Sequence, residues 1–227
     1  MVFCVPPAAA QSVTSLITDL PADARNLWSK PTAIIAGTTG VVSAVFGSND
    51  HRISNRARTL DNWDTYLGAG DELGVAGLQS GIALGTYVLG RLAKSPRTTQ
   101  VGADLVRGQI LGGGIGLALK LAIDRERPNG RRGHSFPSGH AQMAFTTATV
   151  IHRHFGWKAG VPAYVLAAYI GASRLPRNEH YASDVLVGAG LGVAAGHAVT
   201  VGRGRARVTI APSLSPGGAS VTAIITP

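Results

Sequence analysis

The stretch that decides the fold, residues 101–124, is VGADLVRGQILGGGIGLALKLAID. It is mostly apolar and carries closely spaced glycines, which let neighbouring helices approach each other in membranes and in tightly packed bundles. Pro128 follows shortly after it, and the residue before a proline avoids the α region. The stretch therefore predicts a helix that ends before Pro128 and packs among other helices.

Five further segments have the same apolar character, rich in Ala and Gly. With the first they predict six helices, at roughly 32–47, 72–93, 101–124, 138–155, 159–174 and 183–201. The polar segment 48–71 is predicted to be a long loop, partly helical. In the tail, apolar residues alternate around Ser215-Pro216-Gly217-Gly218, a hairpin pattern with a turn signal. The expected fold class is all-α, a six-helix bundle with a short C-terminal β-hairpin.

Composition excludes several classes of protein. The chain has 227 residues, of which 45% are hydrophobic and 15% charged, against a usual charged fraction of about 25%. Such a chain is not intrinsically disordered. Its single Cys excludes a disulfide framework and a zinc site built from several cysteines.

The charge balance favours an anionic partner. Lys and Arg number 21 and Asp and Glu 12, which gives a net charge of +9. A phosphate ligand, a nucleic acid or an anionic lipid would each fit this charge. Aromatic residues make up only 6% of the chain, which leaves few platforms for stacking bases. No nucleic-acid partner is therefore expected.

The N-terminus resembles the end of a secretory signal peptide. Residues 1–5 are apolar, and Ala8-Ala9-Ala10 precede Gln11 as a small-residue cleavage site. A basic segment before the apolar stretch is missing, so an unstructured start is the alternative. The predicted division is a truncated signal-peptide end at 1–10, a helical domain at 11–205 and the hairpin tail at 206–227.

The basic residues indicate an orientation. The apolar runs are mostly shorter than the ~20 residues that cross a bilayer. If all six helices did cross, the end opposite the three motifs described below would hold the acids Asp19 and Asp23 and ten basic residues: Arg25, Lys30, Arg91, Lys94, Arg97, Arg153, Lys158, Arg203, Arg205 and Arg207. That is a positive-inside pattern. A cleaved signal peptide conflicts with this topology, but both interpretations place the motif loops outside the cytoplasm. The expected location is the cell envelope, membrane-associated or periplasmic.

The first of three chemically informative clusters ends the helix at 101–124. Lys120 and Arg127 are two helical turns apart and share one face. Asp124 and Glu126 could pair with them, so a solvated helix end with ion pairs explains this cluster taken alone.

The second cluster is Pro137-Ser138-Gly139-His140, immediately before an apolar run. Ser138 is a natural N-cap, and Gly139 lets a ligand approach the backbone. Free N–H groups at such a helix start bind anions, and His140 would face the bound group. An ordinary cap with an exposed His explains this cluster taken alone.

The third cluster is Ser173-Arg174, followed by His180 and Asp184. A His and an Asp four residues apart can pair, and the carboxylate then orients the ring and fixes which nitrogen is free. Such a His can act as a nucleophile or a base. The alternative is a structural pair that caps the last helix.

In an up-down bundle the three clusters lie at one end. The cations Lys120, Arg127 and Arg174 then surround two His and one carboxylate, which matches the dispersed charge of a phosphoryl group. The residues alone leave open whether His140 or His180 is the nucleophile. No acidic cluster of the kind that holds Mg²⁺ lies near these motifs, so neither a metal nor another cofactor is expected.

The combination resembles the superfamily of type-2 phosphatidic acid phosphatases and vanadium haloperoxidases. That signature is Lys-x6-Arg-Pro, Pro-Ser-Gly-His and Ser-Arg-x5-His-x3-Asp, and its residues occur here in order at 120–128, 137–140 and 173–184. The resemblance is strong over roughly 105–195. It implies an all-α bundle with a metal-free phosphatase site.

The resemblance also implies a role for each motif residue. His180 attacks phosphorus to form a phosphohistidine, and Asp184 holds and polarises His180. His140 protonates the leaving oxygen and then activates water. The groups that bind the phosphoryl oxygens are Lys120, Arg127, Arg174, Ser138 and the amide of Gly139.

The expected function is metal-independent hydrolysis of a phosphomonoester or diphosphate. The apolar helices favour a lipid-linked substrate; phosphatidate, phosphatidylglycerophosphate, undecaprenyl diphosphate and lipid A phosphates all remain open. One alternative is a vanadate-dependent haloperoxidase, although such enzymes are typically much longer. The other is a non-catalytic anion-binding protein of the envelope.

Overall fold

The computed structural model describes residues 12–59, 62–201, 207–215 and 218–226. The predicted signal-peptide end at 1–10 lies outside these residues. The fold is all-α across the region that holds the three motifs. Further along, strands β1 (Arg207–Ser215) and β2 (Gly218–Thr226) pair antiparallel, with Ser215 opposite Gly218. They occupy the tail segment for which a hairpin is predicted.

The described residues form ten helices, so the predicted count of six is too low. They are α1 Ser15–Thr18, α2 Leu20–Asn26, α3 Lys30–Gly47, α4 Asp50–Arg58, α5 Trp63–Leu73, α6 Ala76–Leu92, α7 Pro96–Ile123, α8 Gly139–Phe155, α9 Trp157–Ala172 and α10 Ala182–Val199. The six predicted helices correspond to α3 and α6 to α10. The polar segment 48–71, predicted to be mainly loop, holds α4 and most of α5. Its helices are short and polar, so the long apolar pattern that revealed the others is missing.

The helix that carries Lys120 is longer than its apolar pattern. α7 begins at Pro96, and the hydroxyl of Ser95 accepts a hydrogen bond from the Thr98 N–H at 3.4 Å. A capping side chain followed by proline is a strong start signal. The helix ends at Ile123, and the C-cap residue Asp124, with a φ of 42°, turns the chain away. The cap, rather than the apolar run, therefore sets the first residue.

Glycine on α10 lets that helix lie directly against the start of α8. A Cβ added to Gly188 would lie 2.4 Å from the carbonyl oxygen of Ser138, and one added to Gly192 would lie 2.3 Å from that of Gln142. No larger residue fits these positions without moving the backbone. This close packing fixes the start of α8 beside the start of α10.

Apolar side chains cover much of the outside of the bundle. Among the described residues, two helices are long and apolar enough to cross a membrane, α7 and α10, or up to four spans if the bent pairs α3–α4 and α5–α6 each count as one. Large exposed side chains include Ile34, Val41, Val45, Leu89, Leu92, Leu117, Leu121 and Val165. An apolar surface of this extent suits contact with lipid. The chain is therefore associated with a membrane.

A buried group of charges ties the N-terminal helices to the bundle. Arg107 on α7 is only 2% exposed and forms ion pairs with Asp19 at 2.6 Å, Asp104 at 2.5 Å and Asp23 at 3.2 Å. The ring of His154 lies 2.8 Å from a second oxygen of Asp104. A buried charge is tolerated only when it is paired in this way. We call these five residues the Arg107 cluster.

Candidate active site

Backbone hydrogen bonds fasten the three motifs together. The N–H of Ser138 donates to the carbonyl of Asp184 at 3.0 Å, which joins the second motif to the third. The N–H of Asn129, just after the first motif, donates to the carbonyl of Asn178 at 3.2 Å. The ends of α7, α8 and α10 therefore meet at one end of the bundle, as the sequence predicts.

The ammonium group of Lys120 is bound by backbone carbonyl oxygens and not by a carboxylate. It donates to the carbonyls of His134 at 2.8 Å and Pro137 at 2.7 Å. His134 lies in the loop that leads into the second motif, and Pro137 is the first residue of that motif. Since neutral carbonyls do not cancel its charge, Lys120 contributes a net positive charge beside the start of α8.

The two motif arginines pair with carboxylates that sequence reasoning missed. Arg127 forms an ion pair with Glu179, and Arg174, which is 6% exposed, forms one with Asp71 at the end of α5. Burial, together with nearby Arg177, lowers the pKa of Arg174 to about 10. Glu179 lies within the third motif, directly before His180, but nothing in the sequence distinguishes Asp71.

His180 is oriented by a backbone carbonyl. Its ring is almost fully buried, and Nδ1 lies 2.5 Å from the carbonyl oxygen of Ser135. A carbonyl can only accept, so Nδ1 carries the proton and Nε2 keeps its lone pair. Burial, together with the positive charges of Lys120, Arg174 and Arg127, lowers the pKa of His180 to about 3. The ring is therefore neutral at physiological pH.

Asp184 reaches His180 through Ser135. Its Oδ2 is 4.0 Å from Nδ1 of His180, too far for the direct hydrogen bond predicted from the spacing. The same oxygen accepts from the hydroxyl of Ser135 at 2.5 Å and from the N–H of Tyr181 at 2.9 Å. Ser135, which the sequence analysis missed, thus contacts both members of the predicted pair.

Three buried polar atoms at the start of α8 and beside it form no hydrogen bond within the described residues: Ser138 Oγ, His140 Nε2 and Arg174 Nε. Ser138 occupies the N-cap position as predicted, but its hydroxyl makes no capping hydrogen bond. His140 Nε2 lies 3.8 Å from the nearest oxygen of Asp71. Buried polar atoms normally find partners, so three such atoms beside the free N–H groups of a helix start are suited to bind an anion.

The glycine of the second motif leaves room for a ligand. A Cβ added to Gly139 would meet nothing within 4 Å, so the first turn of α8 is open on that side. Across the described residues, no group of three or more His, Cys, Asp or Glu could hold a metal ion. The arrangement can bind a tetrahedral oxyanion with fixed cations and present a neutral imidazole to it.

Part of the chain is similar in sequence to known proteins. Residues 102–207 match the family model of the PAP2 superfamily. The chain is 41% identical over 92 residues to a lipid A 1-phosphatase of Porphyromonas gingivalis, an alignment that covers 39% of this chain and 21% of that protein. It is 28% identical over 96 residues to a lipid A 4′-phosphatase of Helicobacter pylori, with 37% and 48% covered. The chain therefore spans less than half the length of these curated relatives.

Two solved structures share the fold. A transmembrane PAP2-type phosphatidylglycerolphosphate phosphatase from Bacillus subtilis aligns with a TM-score of 0.59 and 21% identity, covering 83% of this chain and 94% of that one. Aquifex aeolicus LpxE aligns with a TM-score of 0.55 and 23% identity, covering 67% and 92%. At these identities the likeness is one of fold.

Proposed function

Because residues 102–207 match the family model of the PAP2 superfamily, we propose that this protein is a metal-independent phosphatase that hydrolyses a phosphomonoester or diphosphate of a lipid. The observation that carries the proposal is the set of buried polar atoms without partners, Ser138 Oγ, His140 Nε2 and Arg174 Nε. Phosphoryl oxygens would supply the partners that these atoms lack. Lys120, Arg127 and the amide of Gly139 complete the binding set.

In the first chemical step, the lone pair on Nε2 of His180 attacks phosphorus. A P–N bond forms while the bond from phosphorus to the leaving oxygen breaks, and His140, which enters the step as the imidazolium, donates its proton to that oxygen and becomes neutral. Burial, together with the charges of Lys120 and Arg127, lowers the pKa of His140, which favours release of this proton. The His180 ring becomes cationic in the phosphohistidine. The carbonyl of Ser135 and the carboxylate of Asp184, 2.5 Å and 4.0 Å from Nδ1, stabilise that charge.

In the second step, His140 acts as the base. It removes a proton from water, the water oxygen bonds to phosphorus, and the P–N bond breaks to release inorganic phosphate. His180 returns to its neutral form with the proton still on Nδ1. The depressed pKa of His180 favours this return, because a buried cation beside three other cations is unfavourable.

An apolar cavity beside the third motif supports a lipid substrate. It has a volume of about 250 Å³ and is lined by residues of α3, α8, α9 and α10, among them Phe46, Phe145, Leu175, Ala182 and Leu186. Leu175 directly follows Arg174 in the chain, so the cavity borders the segment that carries Arg174. A lipid chain could lie there while its phosphate contacts the cations.

The first experiment is a phosphate-release assay on the purified protein with and without EDTA. The substrates are lipid A, phosphatidate, phosphatidylglycerophosphate, undecaprenyl diphosphate and a soluble aryl phosphate. We expect release from at least one lipid, unaffected by EDTA and inhibited by vanadate. Absence of release from every substrate, or loss of activity on chelation that a divalent ion restores, would contradict the proposal.

We further propose that the site faces away from the cytoplasm. Arg132 is an exposed residue of the loop between the first two motifs, and Lys158 is exposed near the start of α9, at the opposite end of the bundle. Single cysteines at these positions, in a Cys4→Ser background, report the two sides. A membrane-impermeant thiol reagent on spheroplasts should label Arg132→Cys and leave Lys158→Cys protected until the membrane is permeabilised. The reverse pattern would invert the orientation.

A further inference from the structure

We propose that Asp50, which lies outside the three motifs and outside the matched region 102–207, is a positioning residue for His180. The inference rests on the proposed function, since it concerns the same site. Asp50 is the first residue of α4, directly after the 66° bend that follows α3. Its side chain is 1% exposed, although it lies in the polar segment 48–71, where the sequence does not predict a buried charge.

Both oxygens of Asp50 are engaged at the start of α10. One accepts the N–H of Ser183 at 3.0 Å. The other accepts the hydroxyl of Ser183 and a guanidinium nitrogen of Arg125 at 2.8 Å. Asp50 thus binds the residue immediately before Asp184 through backbone and side chain together.

Arg125 links Asp50 to Asp184, the carboxylate that orients His180. Its second terminal nitrogen donates to Asp184 at 2.6 Å and to the hydroxyl of Ser183 at 2.8 Å. The planar guanidinium therefore bridges two buried carboxylates, Asp50 and Asp184, and lies 4.1 Å from the centre of the Tyr181 ring. A planar fork suits this arrangement because its donors are fixed relative to each other.

The bridge continues to the nucleophile through Ser135. Asp184 accepts the Ser135 hydroxyl at 2.5 Å, and the Ser135 carbonyl lies 2.5 Å from Nδ1 of His180. The N–H of Ser135 also donates to the carbonyl of Arg125 at 2.9 Å. Ser135 is thus held by Arg125 on its backbone and by Asp184 on its side chain, and it holds His180 in turn.

Loss of the Asp50 charge should disturb this series of hydrogen bonds, starting at the end opposite His180. In Asp50→Asn, one amide oxygen must replace two acceptor oxygens, and the amide NH₂ then faces donors of Ser183 or Arg125. Arg125 and Ser183 would shift, and Asp184 and Ser135 with them. The phosphate-binding groups Lys120, Arg127 and Arg174 make no hydrogen bond to Asp50 among the described contacts, so substrate binding should change little.

The test measures kcat and KM of Asp50→Asn on the best substrate, together with thermal stability. We expect kcat to fall about 10- to 100-fold while KM stays within about twofold, because a misplaced nucleophile affects the chemical step. The matched control is Asp104→Asn in the Arg107 cluster. Asp104 is 0% exposed and pairs with Arg107 at 2.5 Å and His154 at 2.8 Å, but lies roughly 24 Å from Lys120 along α7. It should lose stability with kcat unchanged.

A second variant keeps the test decisive if Asp50→Asn fails to fold. Arg125→Lys retains the charge but cannot bridge two carboxylates with a planar fork, so it should show the same fall in kcat. Combining both changes should cost little more than either alone, because both break the same bridge. An active wild-type enzyme whose Asp50→Asn and Arg125→Lys variants keep kcat within about twofold, or lose no more than Asp104→Asn, would overturn the inference. Inactivity of the wild type would instead count against the proposed function.

Discussion

The candidate active site and the Arg107 cluster are built from the same residue types and differ in how their polar atoms are satisfied. In the Arg107 cluster one guanidinium meets three carboxylates, and His154 contacts one of them. Arg107 Nε and Asp23 Oδ2 make no hydrogen bond, but they lie 3.2 Å apart and form an ion pair with each other. In the site, His180 contacts a neutral carbonyl, and polar atoms of Ser138 and His140 are buried without partners.

The difference separates a structural charge network from a binding site. Burying charge costs free energy, and a fully paired network recovers it through its own contacts. A group of donors that remain unpaired around one point gains its partners only from a ligand. The following predictions test this distinction, each with a variant on both sides where the chain offers one.

The largest effect is expected on replacing the nucleophile. His180→Ala should reduce phosphate release by several orders of magnitude, because it removes the covalent path. His154→Ala in the Arg107 cluster should leave kcat within about twofold and lower the melting temperature. If His180→Ala kept more than about a tenth of the activity, His180 would not be the nucleophile.

Replacing two buried arginines is expected to have contrasting effects, one mainly on stability and the other mainly on catalysis. Arg107→Ala leaves two buried carboxylates, Asp23 and Asp104, and the partly exposed Asp19 without their cation, and should lower the free energy of unfolding by about 3–5 kcal/mol. Arg174→Ala should lower kcat/KM by about 100-fold or more with a smaller loss of stability, since it removes charge stabilisation of the phosphoryl group. Denaturant unfolding and kinetics on both variants measure this. Equal losses of stability, with both variants catalytically alike, would erase the distinction.

Acid should destabilise the site through His180. The pKa of His180 in the folded chain, about 3, lies below the ordinary histidine pKa of 6.5, so between these values the unfolded chain binds more protons than the folded one. The stability contributed by the neutral ring is present above pH 6.5 and is lost as pH falls toward 3. Unfolding curves across this window should show a shallower decline for His180→Gln than for the wild type. Superimposable pH dependence would contradict the burial argument.

The smallest effect is expected at Asp71. Its carboxylate pairs with Arg174, lies 3.2 Å from Arg177 and is 3.8 Å from His140, so it is a like charge beside a bound oxyanion. Asp71→Asn should strengthen inhibition by vanadate by about 3- to 10-fold, because that repulsion is removed. The measurement is the inhibition constant, with Asp104→Asn as the unaffected control. Weaker inhibition in Asp71→Asn would show that Asp71 holds Arg174 in place for binding.

The sequence predicts the long helices well and the short ones poorly. Each long helix has an apolar pattern rich in small residues, and its structural ends lie within a few residues of the predicted ones. The sequence does not predict α4 and α5, because they are short and polar. The sequence does not predict α1 and α2 for a different reason. They are held in place by contacts such as those of Arg107 with Asp19 and Asp23, which form only in the folded protein.

The site divides in the same way. The motif residues are recognisable because their spacing along the chain brings them to helix ends. The groups that hold them are not, because they meet only in the folded chain: Ser135 and His180 are 45 residues apart, Arg125 and Asp184 are 59 apart, and Asp50 and Ser183 are 133 apart. The direct pairing of His180 with Asp184 looked sufficient from the spacing, whereas the structure inserts Ser135 between them.

The central claim, that His180 is a covalent nucleophile in a site built to bind phosphate, is tested most directly by trapping the intermediate. A ³²P-labelled substrate is mixed with the enzyme, quenched rapidly in alkali and mapped by peptide analysis. We predict a base-stable, acid-labile label on His180 that forms in the presence of EDTA and is absent from His180→Ala. Turnover without any label on His180, or with the label on another residue, would contradict it.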